Sequence, residues 1–297
     1  MRGYQTSTGK WTANVENALR FNYPELSIPC NQCIGCRLDI SKDWVTRIIS
    51  ESKAYQENCF ITLTFSDDTI VYPPTLQKRD FQLFMKRFRD KISPRKIKYY
   101  HVGEYGDQSF RPHHHAIIFN YDFSEDRKPY KKNTYTSKLL DSLWTIKCED
   151  NTKINLGFAV IGHVSPQSVA YVARYNTKKI TGEKAKLHYC DSDGHHLLPE
   201  YSTMSRGGRY GRGIGYDFIM KYKDEVYPSD YLTINGKKFK PPKYYDNVVY
   251  EIMPDEIDAI KEKRRNNINL EDNTDERLAI KKKVCQARMS QYRRNIT

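Results

Sequence analysis

The stretch from Lys96 to Tyr121 constrains the fold most. "KIKYYHVGE" (96–104) and "HHHAIIFNY" (113–121) are rich in β-branched and aromatic residues, and the polar "YGDQSFRP" (105–112) joins them. Two such runs around a turn read as an antiparallel hairpin. The same test marks "CFITLTF" (59–65) as a buried strand and "GFAVIGHV" (157–164) as another. Between them, Phe81, Phe84, Met85, Phe88 and Ile92 fall on one apolar stripe of a basic helix. A second helix is expected around Trp44 to Tyr55, and a short one from Ser137 to Trp144. Ser165 is a good N-cap and Pro166 suits a first helical position, so Tyr171 and Tyr175 lie on a helix.

In chain order the elements are strand, helix, strand, strand, helix, strand and a further helix. That is an α+β pattern, ferredoxin-like (RRM-like), with helices packed on an antiparallel sheet. The flanks differ in character. Residues 1 to 29 are polar without clear period. After residue 181 the composition shifts to "SRGGRYGRGIG" (205–215), which suits either a phosphate-contacting loop or a flexible turn. From Pro254 the chain is heavily charged, and "ERLAIKKKVCQARMSQYRRN" reads as a basic terminal helix.

Charge narrows the function. The chain of 297 residues carries 49 Lys and Arg against 36 Asp and Glu, a net +13, which suggests a polyanionic partner, most often nucleic acid. With 38% hydrophobic residues and 23 tyrosines it can still fill a core. No apolar run is long enough to span a bilayer, and the first residues lack an apolar signal core, so a cytoplasmic protein is expected. Seven cysteines, an odd number, argue against a secreted disulfide framework.

The three consecutive histidines carry the chemistry. Residues two apart on a strand share a face, so His113 and His115 point one way and His114 the other. A hairpin folds Glu104 back beside them. Two imidazoles and one carboxylate can chelate a divalent ion and leave positions open for substrate oxygens. Tyr171 and Tyr175, four apart on a helix, share a face, with Arg174, Lys178 and Lys179 close by. Core packing explains such a pair equally simply. A phenol near cations and a bound phosphate is a nucleophile in waiting, although with a pKa near 10 only about one in a thousand is ionised at pH 7. Lys178 and Lys179, one turn beyond Tyr175, and Arg111 beside the histidines are candidate phosphate contacts.

"CNQCIGC" raises a separate question. Cys30, Cys33 and Cys36 at C-x₂-C-x₂-C spacing can wrap one Zn²⁺ or hold an iron–sulfur cluster, with Cys59, Cys148 or His101 as further ligand. Three reduced thiols near a helix start are the alternative.

"FITLTF", "GEYG…RPHHHAIIF" and "YVARYNTKK" resemble, in order, the three motifs of the HUH endonucleases, which initiate rolling-circle replication. "PCNQCIGCRLD" and "MSRGGRYGRGIGYDF" are similar to the gokushovirus-type branch of microvirus replication initiators. The resemblance implies an HUH fold with N- and C-terminal extensions. Residues 1–57 would be a Cys-containing segment and helix, 58–181 the catalytic core, and 182–297 a basic accessory region. It implies Mg²⁺ or Mn²⁺ on Glu104, His113 and His115, and Tyr171 and Tyr175 as nucleophiles. The implied reaction nicks and rejoins single-stranded or supercoiled phage origin DNA through a 5′-phosphotyrosine, in the bacterial host cytoplasm and without a membrane. The chain lacks a GxxxxGK[ST] phosphate loop, so helicase and polymerase would come from the host. One departure stands out: the residue between the paired histidines is usually a bulky hydrophobe, and here it is His114. A plasmid relaxase or single-strand transposase of the same fold, and a non-enzymatic zinc protein that binds nucleic acid, are the competing readings.

Overall fold

The structure is a computed structural model that describes residues 2–5, 11–12, 14–22, 25–27, 29–106, 109–178, 180, 183–191, 193–206, 212–269 and 271–291. Its centre is a seven-stranded antiparallel sheet. The strands are β1 (Asn58–Thr64), β2 (Lys98–Tyr105), β3 (Pro112–Phe119), β4 (Lys128–Lys131), β5 (Thr134–Thr136), β6 (Ala159–Gly162) and β7 (Tyr201–Met204). They lie side by side in the order β7-β2-β3-β1-β6-β5-β4. The hairpin expected from residues 96 to 121 is β2 and β3, paired from Lys98 with Phe119 to Tyr105 with Pro112.

Both faces of the sheet are covered. On one face α2 (Lys78–Lys91) lays Phe81, Phe84, Met85 and Phe88 against Cys59, Ile61 and Leu63 of β1 and Ala116 and Ile118 of β3. Trp144, at the end of α3 (Lys138–Leu143), closes that core and donates its indole N–H to the Thr64 carbonyl at 2.7 Å. On the other face α1 (Ile34–Ser52) and α4 (Pro166–Lys178) pack Ile48, Val169 and Val172 onto Tyr100, Val102, Ile117 and Phe119. This explains why β3 is buried nearly throughout instead of alternating: a strand covered on both sides has no solvent face. The start of α4 is fixed as its sequence dictates. The Ser165 hydroxyl accepts from the Ser168 N–H at 3.1 Å, and the Ser168 hydroxyl accepts from the Ser165 N–H at 2.8 Å, a reciprocal cap.

The edge strand β7 left no pattern in the sequence. It is four residues long and pairs Tyr201 with Gly103 on β2. The Tyr201 ring lies where a side chain at 103 would be: a Cβ there would meet its Cε1 at 2.8 Å. The sheet therefore draws its last strand from beyond residue 181. The Gly-Arg segment follows it, and residues 207–211 lie outside the described residues.

A second core sits C-terminal to the sheet. α5 (Tyr216–Ser229), the hairpin Leu232–Ile234 and Lys237–Phe239, α6 (Lys243–Tyr250) and α7 (Pro254–Asn266) enclose Ile219, Tyr227, Leu232, Tyr245, Val249 and Ile257. Arg264 joins these elements by ion pairs to Asp230 and Asp246. Buried Glu51 at the end of α1 ties the two cores together: it pairs with Lys98 at 2.7 Å and accepts from the Gly215 N–H at 2.6 Å. α8 (Asp275–Gln291) is the expected basic terminal helix. Among the described residues no helix is long and apolar enough to cross a membrane.

Phe84 is fully buried between α2 and the sheet. Phe84→Ala should cost about 3–5 kcal/mol, read as a drop in urea midpoint at unchanged slope. A loss below about 1 kcal/mol would show that this face is not close-packed.

Candidate metal and tyrosine site

Register builds the site. Glu104 stands directly opposite His113 across β2 and β3, and His115 lies two residues along, opposite Val102 and, on the other side, Thr62 of β1. Strand alternation puts Glu104, His113, His115 and Thr62 on the face that α4 covers. The Glu104 Oε1 lies 2.8 Å from His113 Nε2 and 2.9 Å from His115 Nε2. Glu104 is 1% exposed and His115 6%, while His113 lies at the rim, partly open to solvent.

The far nitrogen of each imidazole is also held. His115 Nδ1 is 2.8 Å from the Thr62 hydroxyl, and His113 Nδ1 donates to the Arg111 carbonyl at 3.1 Å. A carbonyl only accepts, so the neutral His113 ring carries its proton on Nδ1 and presents the Nε2 lone pair to Glu104. Two acceptors facing each other at that distance call for a proton or a cation between them. The ligand atoms of Glu104, His113 and His115 all lie within 4.8 Å of one another. Anchored imidazoles beside a carboxylate form a donor set that suits a divalent ion. Burial pushes the Glu104 carboxyl up, but with a proton on the imidazole nitrogens that face it the hydrogen bonds from His113 and His115 outweigh burial and bring its pKa down to about 2. The carboxylate is therefore ionised throughout the physiological range.

α4 brings the tyrosines over this group. The Tyr171 hydroxyl donates to Glu104 Oε1 at 3.0 Å and lies 3.5 Å from His115 Nε2. Tyr175 is more deeply placed, 5% exposed, with its ring stacked over His115 at 6.2 Å between centroids. The two phenol rings meet edge to face at 5.0 Å. Phe60 also stacks on His115, at 5.4 Å between centroids.

The other expected residues stand as follows. The Arg111 guanidinium is engaged with the Asp67 carboxylate and donates to the Phe65 carbonyl at 2.7 Å, so it braces the turn before β3. Lys178 is the last residue of α4; its side chain and all of Lys179 lie outside the described residues. Cys30, Cys33 and Cys36 come together, but Cys59, Cys148 and His101 do not join them. Cys59 is buried under α2, where desolvation pushes its thiol up. Thr62 and Phe60 were not singled out in the sequence. The signal was available: on β1 both alternate onto the face that receives His115.

His114 faces the other core. Its Nδ1 lies 3.1 Å from His101 Nε2, and His101 Nδ1 lies 2.9 Å from the Thr203 hydroxyl. His101 stacks on Phe81 at 3.5 Å between centroids. His114 Nε2 is buried with no partner.

The segment 58–180 matches a family model of replication-associated proteins of the ORF2 type. The replication-associated protein ORF2 of Spiroplasma virus 4 is 34% identical over 258 residues, which cover 80% of this chain and 73% of that protein. The replication-associated protein VP4 of Bdellovibrio phage phiMH2K is 33% identical over 233 residues, 74% of this chain and 67% of that protein. The replication-associated protein ORF4 of Chlamydia phage 1 is 26% identical over 249 residues, 80% of this chain and 56% of that protein. No solved structure matches.

Burial, with repulsion from His113 and His115, drops the His114 pKa to about 3, and burial also holds His101 far below its ordinary value. Below about pH 6.5 the unfolded chain takes up protons that these rings refuse, so stability falls with pH in that window. His114 should contribute a slope of about 1.4 kcal/mol per pH unit between pH 6 and 4. His114→Gln should flatten the curve by that amount while leaving stability at pH 8 little changed. Urea denaturation across pH tests it; an unchanged slope would mean that His114 takes up a proton within the fold.

Proposed function

The chain belongs to the replication-associated proteins of microvirus-type phages, and from that premise we propose that it initiates rolling-circle replication as a metal-dependent, HUH-type DNA nickase and strand transferase. The observation that carries the reading is the Tyr171 hydroxyl, hydrogen-bonded to Glu104 at 3.0 Å and within 3.5 Å of His115. A phenol that only packed would have no reason to meet the donor set of a cation site. The central strand order β2-β3-β1-β6 is that of a ferredoxin-like unit and supports the HUH fold. Residues 58–181 are read as the catalytic core, resting on α1 and extended by β7. The net charge of +13 supports origin DNA as substrate, in the cytoplasm of the bacterial host. Host helicase and polymerase would complete the replication step.

The chain's own groups define the reaction. Tyr171, whose hydroxyl donates to Glu104, is read as the first nucleophile. Glu104, with its pKa near 2, is a poor proton sink, so it orients the phenol rather than deprotonating it. The phenolic oxygen bonds to phosphorus and gives its proton to solvent, the bond from phosphorus to the 3′ oxygen breaks, and that oxygen takes up a proton from solvent to leave as a free hydroxyl. The phosphotyrosine retains the phosphodiester's energy, so religation needs no other co-substrate. A bound Mg²⁺ or Mn²⁺ held by Glu104, His113 and His115 would polarise the scissile phosphate.

On single-stranded origin DNA with Mn²⁺, Tyr171→Phe should lower first-turnover nicking by about 10³-fold, and Tyr175→Phe by less than about tenfold. The Tyr175 variant should instead fail at the second strand transfer and release few circles. His113→Ala with His115→Ala should nick no faster than a chelator control. Unimpaired cleavage by that double variant in chelator would sink the nickase reading.

A further inference from the structure

The cysteine cluster takes no part in the proposed reaction, and its geometry stands by itself. We propose that Cys30, Cys33 and Cys36 bind one zinc ion through three thiolates, separate from the Glu104–His113–His115 group. Their three sulfurs all lie within 4.8 Å of one another, with Cys30 and Cys36 Sγ 3.9 Å apart. A tetrahedral ion with Zn–S bonds of about 2.3 Å spaces its sulfurs about 3.8 Å apart. A disulfide needs sulfurs at about 2.05 Å. A cubane iron–sulfur cluster sets each thiolate on a different iron and spreads the sulfurs wider than one ion does. The observed spacing fits the single ion.

The backbone prepares the site for an anion-rich ligand set. Cys33 is the N-cap of α1, a helix of 19 residues, and its N–H donates to Cys30 Sγ at 3.1 Å. Helix N-termini favour thiolate. The Cys30 thiol falls to about 6, mainly through the backbone N–H groups of Cys33 and Gln32. Cys36, in contrast, is pushed up, first by burial and then by the neighbouring sulfurs. As the three Zn–S bonds form, each thiol proton leaves to solvent and the aqueous ion gives up all but one of its waters. Among the described residues no fourth His, Cys, Asp or Glu joins the group, and Cys33 is exposed, which leaves room for water at the last position. The ion would fasten residues 30–33 to the first turn of α1, the helix whose Ile48 packs with Val169 and Val172 of α4.

The test uses the full chain carrying His113→Ala, His115→Ala and His195→Ala, purified in reductant, so that neither the Glu104 group nor the Asp191–Asp193–His195 group can supply the signal. Elemental analysis should find about one zinc per chain. Cys33→Ser with Cys36→Ser should lower that below about a tenth of an equivalent. Should that variant not fold, the His-variant parent answers alone: Co²⁺ exchange should give a near-ultraviolet thiolate-to-cobalt charge-transfer band, and thiol titration should release the zinc. Zinc retained by the folded cysteine variant, iron with visible cluster absorption, or a reduced parent without zinc or cobalt band would each overturn the proposal. None of these readouts depends on DNA cleavage, so this site and the nickase reading stand or fall apart.

Discussion

The site depends on one cross-strand pairing, Glu104 opposite His113. In an antiparallel sheet, side chains directly opposite approach to within about 5 Å, and the period of two then adds His115 to the same face. A slip of one residue between β2 and β3 would move Glu104 opposite a different histidine and onto the wrong side of the hairpin. The register is protected by burial on both faces. Tyr100 and Val102 on β2, and Ile117 and Phe119 on β3, are fully buried under α1 and α4. Ala116 and Ile118 are fully buried under α2. Any slip would exchange these two sets, so packing far from the carboxylate holds the carboxylate in place.

The same period sorts three identical residues into two chemistries. His113 and His115 meet a carboxylate and a hydroxyl, and their Nε2 atoms converge on Glu104. His114, one residue away, enters a dry core beside Phe81, Phe65 and Trp144. A bulky hydrophobe at that position would satisfy the same core. His114 fills it instead by pairing with His101, which reaches Thr203 on β7. The edge strand thus gains a polar link to the centre of the sheet, at the cost of one unpartnered buried nitrogen.

How far the sequence could be read follows from which signals are local. The hairpin, the apolar stripe of α2 and the cap of α4 are set by near neighbours in sequence, and each was legible. The grouping of Glu104 with His113 and His115 was legible too, because a hairpin brings together residues already close along the chain. What escaped notice is nonlocal. β7 is four residues with no apolar alternation, and it is recognisable only by the Gly103 surface that receives Tyr201. The engagement of Arg111 with Asp67 and Phe65 joins residues more than forty apart. Glu51, between Lys98 and Gly215, joins three elements that no local pattern connects.

The two tyrosines differ in a way that limits how they can alternate. Both ride α4, whose inner face carries Val169 and Val172, fully or nearly fully buried against α1 and the sheet. Sliding the helix by the four residues that separate the phenols would mean a shift of about 6 Å, which would unseat that whole contact. Rotating side chains is cheaper. Tyr171 already holds Glu104, and Tyr175 lies stacked on His115 behind it. If Tyr171 takes the phosphate first, as proposed, it no longer has a proton to donate, and its bond to the carboxylate is lost. The Tyr175 ring stands in edge contact with Tyr171 at 5.0 Å and over the same His115. In the proposed reaction the first chemical step would itself release the position that the second phenol needs, with α4 fixed and only two side chains moving.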